Sequence, residues 1–224
     1  MSLAKGADIG FDDLSAALSG LAPHSRLRQC AVPGLDGLRF ILLDPAFEGR
    51  DLDVGVRARI AHEPPYWALA WPGGRVLAQR IASGRLGIRG RRVVEVGCGS
   101  GLVAMAAAAA GAARVQAFDL DPLARRATAL NAELNGLTVE VGSDLFSADP
   151  EADWILVADV LYDRGNRPLL ERLLERPGRL ALADCRDHGF SHPRLLESGW
   201  EDSAVWPDVD PSVQFRRVRW WETL

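Results

Sequence analysis

Three glycines at alternate positions, Gly97, Gly99 and Gly101, directly follow the run Val93-Val94-Glu95-Val96 and precede Leu102-Val103 and an alanine-rich segment. The branched apolar residues read as a fully buried strand. The glycines read as a turn and the alanines as a helix. Glycine tolerates positive φ and lets a ligand approach the backbone, and the first amides of a helix are free to donate. Strand, glycine turn and helix start together build a nucleotide site. An ordinary strand-to-helix turn is the plainer alternative.

A second strand, Arg114 to Phe118, follows the helix and ends at Asp119. A carboxylate at that strand end can accept hydrogen bonds from both hydroxyls of a ribose. Dinucleotide-binding Rossmann folds use the same device behind a G-x-G-x-x-G turn, whereas this turn spells Gly97-x-Gly99-x-Gly101. Asp119 could instead cap the next helix, but Asp121, just before Pro122, already fills that place.

Glu95-Val-Gly-Cys-Gly-Ser-Gly101 followed by Phe118-Asp119-Leu120-Asp121-Pro122 resembles the class I, seven-strand S-adenosylmethionine-dependent methyltransferases. Asp159-Val160-Leu161-Tyr162, after the fourth strand, is similar to the D-x-x-Y signature of the family 16 protein methyltransferases. Together with Pro65-Tyr-Trp-Ala-Leu-Ala-Trp71-Pro-Gly-Gly74, it most resembles the branch that methylates lysines of the electron-transfer flavoprotein β subunit. The resemblance runs from about Pro65 to the C-terminus. It implies an α/β, Rossmann-like, seven-strand, mostly parallel sheet with helices on both faces and a C-terminal antiparallel hairpin. The expected organisation is an extension over residues 1–64 and a methyltransferase domain over 65–224.

The whole chain agrees with such a domain. Its 224 residues, 48% apolar and 25% charged, fit one globular unit. A net charge of −4 gives no footprint for nucleic acid and no reason to dock on anionic lipid. Cys30, Cys98 and Cys185 are isolated and show no ligand spacing, so reduced thiols, a cytoplasmic setting and no metal are expected. No leader is visible, and the apolar run from Leu102 to Ala113 is too short to span a bilayer. Nothing in the pattern fixes an oligomeric state.

Along the chain, Phe11, Leu14, Ala17, Leu18 and Leu21 predict an amphipathic helix, and Leu38 to Leu43 a strand, in a hairpin or alone. This extension reads equally as a lid or as packing over a sheet edge. Gly73 to Ser83 reads as a helix, and Leu123, Ala127, Leu130 and Leu134 as the buried stripe of another. Trp154 to Ala158 and Leu180 to Ala183 read as the fourth and fifth strands, with a leucine-rich helix after Pro168 between them. His188 and His192 flank an expected short loop and helix. Trp200–Trp206 and Phe215–Trp221 read as the final hairpin, joined through Asp208 to Pro211. Arg216, Arg217 and Arg219 then read as the wet face of an edge strand.

The resemblance implies cofactor contacts for Trp71, Glu95, Gly97, Cys98, Gly99, Gly101, Asp119, Leu120, Asp144, Leu145 and Ala158. Gly97, Cys98 and Gly99 would face the methionine end, and Trp71 the sulfonium, since an indole face attracts cations. Asp119 would hold the ribose, Asp144 and Leu145 the adenine, and Ala158 would form a small wall. A surface turn is the plainer alternative for Ser143-Asp144. Asp159 and Tyr162 are the catalytic candidates, Asp159 positioning an amine at the carboxyl end of its strand. A helix cap is the alternative for Asp159. The expected reaction is N-methylation of a lysine-bearing protein. The rivals are a ribosomal-protein or small-amine methyltransferase, an NAD-dependent enzyme and a silent nucleotide-binding module.

Overall fold

The structure is a computed structural model and describes residues 10–47, 53–62, 64–186, 189–208 and 216–224. Alternation along its strands decides the architecture. Val93, Trp154, Leu156, Ala181 and Ala183 point into one apolar core, while Val94, Val96, Ile155, Val157, Leu180 and Leu182 point into a second. A sheet buried on both faces needs helices on both.

The strands are β1 (Leu27–Cys30), β2 (Phe40–Leu43), β3 (Arg92–Val96), β4 (Arg114–Phe118), β5 (Glu140–Gly142), β6 (Trp154–Ala158), β7 (Arg179–Asp184), β8 (Leu195–Asp202) and β9 (Arg217–Thr223). The helices are α1 (Phe11–Leu21), α2 (Val54–His62), α3 (Pro72–Ala82), α4 (Leu102–Ala109), α5 (Pro122–Leu134) and α6 (Arg167–Leu174). The main sheet runs β5-β4-β3-β6-β7-β9-β8. Strands β5, β4, β3, β6 and β7 pair in parallel, and β9 and β8 finish the sheet antiparallel. The expected seven-strand, mostly parallel sheet with its antiparallel finish is present. Strand order reverses between β3 and β6, so their carboxyl ends open the crevice where such sheets bind ligands. Helices α3 and α4 fill the first core and α6 the second. The small residues of α4 lie flat on the sheet, with Ala104, Met105 and Ala107 fully buried.

The described part of the N-terminal segment packs against the rest of the fold. β1 and β2 form a separate antiparallel hairpin, Leu27 opposite Leu43 and Cys30 opposite Phe40. Leu14, Leu18 and Leu43 share a cluster with Trp67, Ala68, Ala124 and Ala127. The Asn131 amide of α5 stitches the parts together: its oxygen accepts from Ile41 N at 2.7 Å and its nitrogen donates to the Ser100 carbonyl at 2.9 Å.

Several expectations shift. α2 carries little amphipathic pattern and was not expected. β8 begins at Leu195, not Trp200, and Trp206 instead bridges Ala70. β9 lies between β7 and β8, so Arg217 and Arg219 are not on an edge. They are accommodated there because Arg217 lies over Trp200 and Arg219 pairs with Glu197. His192 sits in a bridged turn, not beside a helix. His188, Phe215 and the 209–211 part of the hairpin connection lie outside the described residues. Among the described residues, no helix is long and apolar enough to cross a membrane.

Candidate active site

The turn after β3 takes the backbone form its glycines permit, with φ of +74° at Gly97, +52° at Gly99 and +75° at Gly101. It opens onto a cavity of about 830 Å³, within the range of small-molecule sites. The cavity wall includes Trp71, Glu95, Gly97, Cys98, Gly99, Asp119, Leu120, Asp144, Leu145, Ala158, Asp159 and Tyr162. Of the expected residues, Gly101 alone does not line it. A Cβ there would stand 2.7 Å from Thr128 Cγ2, so this glycine serves the approach of α5 to the turn.

The amides of the turn are less free than the sequence implied. Gly97 N and Cys98 N donate to the Phe118 carbonyl at 2.8 and 3.1 Å. The buried Glu95 carboxyl accepts from Ala104 N at 2.9 Å, in the first turn of α4. Burial, helped by the nearby charge of Asp119, pushes the Glu95 carboxyl up to about 8 against backbone bonds from Ala104 and Val103. Glu95 is a cap for α4 as well as a cavity wall, a role the strand pattern alone did not disclose.

Asp119 ends β4 as expected. Its Oδ2 accepts from Gly99 N at 2.9 Å and its Oδ1 from Asp121 N at 3.0 Å. Each carboxylate oxygen carries a second lone pair, so acceptor capacity remains toward the cavity. Burial raises its pKa, and the two amides oppose that. Asp121 caps α5 through Leu123 N at 2.8 Å. Asp144 accepts from Phe146 N at 2.9 Å, so it makes the turn and lines the cavity at once. Phe146, exposed beside it, is a wall residue that no periodicity pointed to.

Asp159 leaves β6 in the left-handed region, φ +52°, a sparse conformation for a residue with a side chain. Its Oδ2 accepts from Gly74 N at 2.9 Å and its Oδ1 from the Cys185 thiol at 3.5 Å. The carboxylate caps α3, an earlier helix, and not the one that follows in sequence. Burial, and then the charge of Asp184, push it up to about 7. Asp184, at the end of β7, accepts from Leu161 N and Arg186 N, both at 2.8 Å. It thereby fixes the loop that carries Tyr162. Asp159, Asp184 and Cys185 place donor atoms within 4.8 Å of one another. Both Asp184 oxygens and Asp159 Oδ2 already accept amides, so hydrogen bonding explains the cluster.

Tyr162 is half-exposed and stacks on Tyr66, ring centres 5.3 Å apart. Tyr66 also meets Trp71 at 5.1 Å, and the indole donates to the Tyr66 carbonyl at 3.1 Å. Tyr66 lines the cavity too; it stands in the Pro65–Gly74 stretch that carries the resemblance but was not singled out as a site residue.

Comparison with known proteins finds methyltransferases. Residues 83–167 match the family model for ribosomal protein L11 methyltransferase. The electron transfer flavoprotein beta subunit lysine methyltransferase of Danio rerio is 34% identical over 168 residues, covering 63% of this chain and 65% of that protein. The chain thus spans just under two thirds of that relative, and 45% of the human one. A ribosomal protein L11 methyltransferase of Vibrio cholerae is 37% identical over 107 residues, 46% of this chain and 36% of that protein. The crystal structure of the ribosomal protein L11 methylase from Lactobacillus delbrueckii subsp. bulgaricus superposes with a TM-score of 0.50 at 19% identity, covering 67% of this chain and 77% of that one. With the glycine turn, the acidic end of β4 and the strand order already described, these likenesses make the chain similar to the class I S-adenosylmethionine-dependent methyltransferases.

Proposed function

We propose that this chain is an S-adenosylmethionine-dependent N-methyltransferase acting on lysine side chains of a protein, of the electron-transfer flavoprotein β-subunit kind. The observation that carries the reading is convergence: the Gly97–Gly99 turn, Asp119, Asp159 and Tyr162 come from three strand ends and line one cavity. The domain is assigned to residues 65–224 with 1–64 as its extension; among residues 10–62, none of those described lines the cavity. The isolated buried thiols support a cytoplasmic setting.

The wall suits S-adenosylmethionine on chemical grounds. Asp119 retains lone pairs for a ribose, and Leu120, Leu145 and Phe146 offer apolar surface beside Asp144 for an adenine. Backbone at Gly97, Cys98 and Gly99 would meet the methionine end, with Glu95 holding the turn beneath. Trp71 would face the sulfonium, and Ala158 would form the small wall beneath the ligand. Bound there, the cofactor supplies a methyl group on a cationic sulfur, open to in-line displacement by a nitrogen.

The chain's own groups then orient the acceptor. Alignment supplies most of the acceleration in such a displacement. A lysine arrives protonated, with a reference pKa of roughly 10.4. Ionised Asp159 draws that ammonium to the strand end through a charge-assisted bond, and the Tyr162 ring or hydroxyl orients it. The proton leaves to water.

The test is transfer from methyl-labelled S-adenosylmethionine into purified electron-transfer flavoprotein and, separately, ribosomal protein L11, with Asp159→Ala as control. Label on a flavoprotein lysine, lost in the control, supports the proposal. Label on the ribosomal protein alone would move the acceptor to the second reading, which the family model and the Vibrio relative favour. Label on neither protein but on small amines would overturn both.

A further inference from the structure

Three aromatic rings of the cavity wall, Tyr66, Trp71 and Tyr162, stand against one another at 5.1 and 5.3 Å. A cation already lies on this group. The guanidinium carbon of Arg186 is 5.1 Å from the centre of Trp71 and 5.6 Å from that of Tyr162. Both distances are within reach of a cation–π attraction.

The arrangement differs from the other arginine–aromatic contacts of the described residues. Arg80 over Trp220, Arg179 over Trp154, Arg217 over Trp200 and Arg219 over Trp221 each cover one ring, away from the cavity. Arg186 spans two rings that come from segments far apart in the sequence. Its placement is built in: the Asp184 carboxylate accepts the Arg186 amide on one oxygen and the Leu161 amide on the other, both at 2.8 Å. One buried group therefore sets the clasp ring and the cation that covers it.

We infer that Arg186 is a specificity-determining residue that reserves the aromatic clasp for lysines presented by a protein and turns away free small amines. The rings attract any cation, and a lysine ammonium is one. The resident guanidinium is tethered beside them, so its effective concentration is high. A free amine must displace it with no other contact to help. A protein-borne lysine brings contacts elsewhere on its surface that offset the displacement. Arg186 thus acts through the clasp rather than on the reacting atoms. The inference rests on the proposed lysine-type acceptor, and its test needs no methyl transfer.

The test titrates tetramethylammonium into the full chain, following the ligand by NMR. Arg186→Gln should bind it about tenfold more tightly than the parent. Arg186→Met should do the same, and Arg186→Lys, which keeps a tethered cation, should stay close to the parent. Adding Tyr162→Leu to Arg186→Gln should abolish the gain. Equal affinity in the parent and both charge-removing variants, or a gain that survives Tyr162→Leu, would overturn the inference. Failure of methyl transfer to either protein would instead overturn the proposed function, and the binding result would be read separately.

Discussion

Asp159 Oδ2 accepts the amide of Gly74 at 2.9 Å, tying the end of β6 to the first turn of α3 across 85 residues. Its other oxygen faces the Cys185 thiol. One carboxylate therefore holds a helix in place and carries charge at the cavity. Asparagine keeps an acceptor for Gly74 and loses the charge. Asp159→Asn should melt near the parent, bind S-adenosylhomocysteine equally well by calorimetry, and lose about 100-fold in turnover. Because burial lifts the Asp159 carboxyl to about 7, the parent's turnover should rise as pH climbs through that value. The asparagine variant should lack that limb. Equal loss of turnover and cofactor affinity would end the role given to Asp159.

Gly73 is needed for the same junction. A Cβ there would lie 2.6 Å from the Ala183 carbonyl and 2.7 Å from Asp159 Oδ1. The carbonyl belongs to β7 and cannot swing away. Gly73→Ala should cost about 1–3 kcal/mol of stability, as overpacking does. At Gly74 the nearest side-chain atoms would be 3.9 Å away, an ordinary contact. Gly74→Ala should melt close to the parent. Matching losses in denaturant titrations of the two variants would rule out this steric account.

The strands, the turn and the acidic strand ends were legible because each leaves a local mark: branched runs, alternate glycines, an acid after a buried strand. Gly101 shows the limit. It belongs to the recognisable run, yet its smallness is needed by Thr128 on α5, a contact made only in three dimensions. Glu95 and Asp159 were read as ligand-facing, but each also accepts a helix amide, Glu95 from α4 just after its strand and Asp159 from the distant α3. Tyr66, Asp184 and Arg186 stayed hidden for the same reason. Their meaning lies in which loops meet, and no periodicity encodes that.

Asp119 should separate cofactor affinity from helix capping. Asp119→Ala removes the acceptor for Gly99 N and Asp121 N and the site proposed for a ribose. Hydrogen bonds to a charged group contribute about 1.5–3 kcal/mol, so S-adenosylhomocysteine should bind at least about tenfold more weakly. Asp121→Ala loses only the cap on Leu123 N, at about 1 kcal/mol of stability, and should bind the ligand normally. Calorimetry on both variants decides this, and equal affinities would remove Asp119 from the ligand.

Glu95 should make the ligand-free protein less stable in alkali. Its carboxyl is lifted from 4.5 to about 8, chiefly by burial. The folded state therefore keeps a proton that the unfolded chain has already lost. The resulting stabilisation is fully present below the unfolded value and disappears as pH rises through about 8. Asp159, lifted to about 7, adds a slope of the same sign. Glutamine at position 95 has the shape of the protonated acid and can still accept from Ala104 N. Denaturant melts between about pH 5 and pH 9 should show a falling parent and a flatter Glu95→Gln variant, with the residual slope removed by adding Asp159→Asn. Parallel pH profiles for the parent and Glu95→Gln would mean that Glu95 is ionised in the fold and held by charge rather than by its proton.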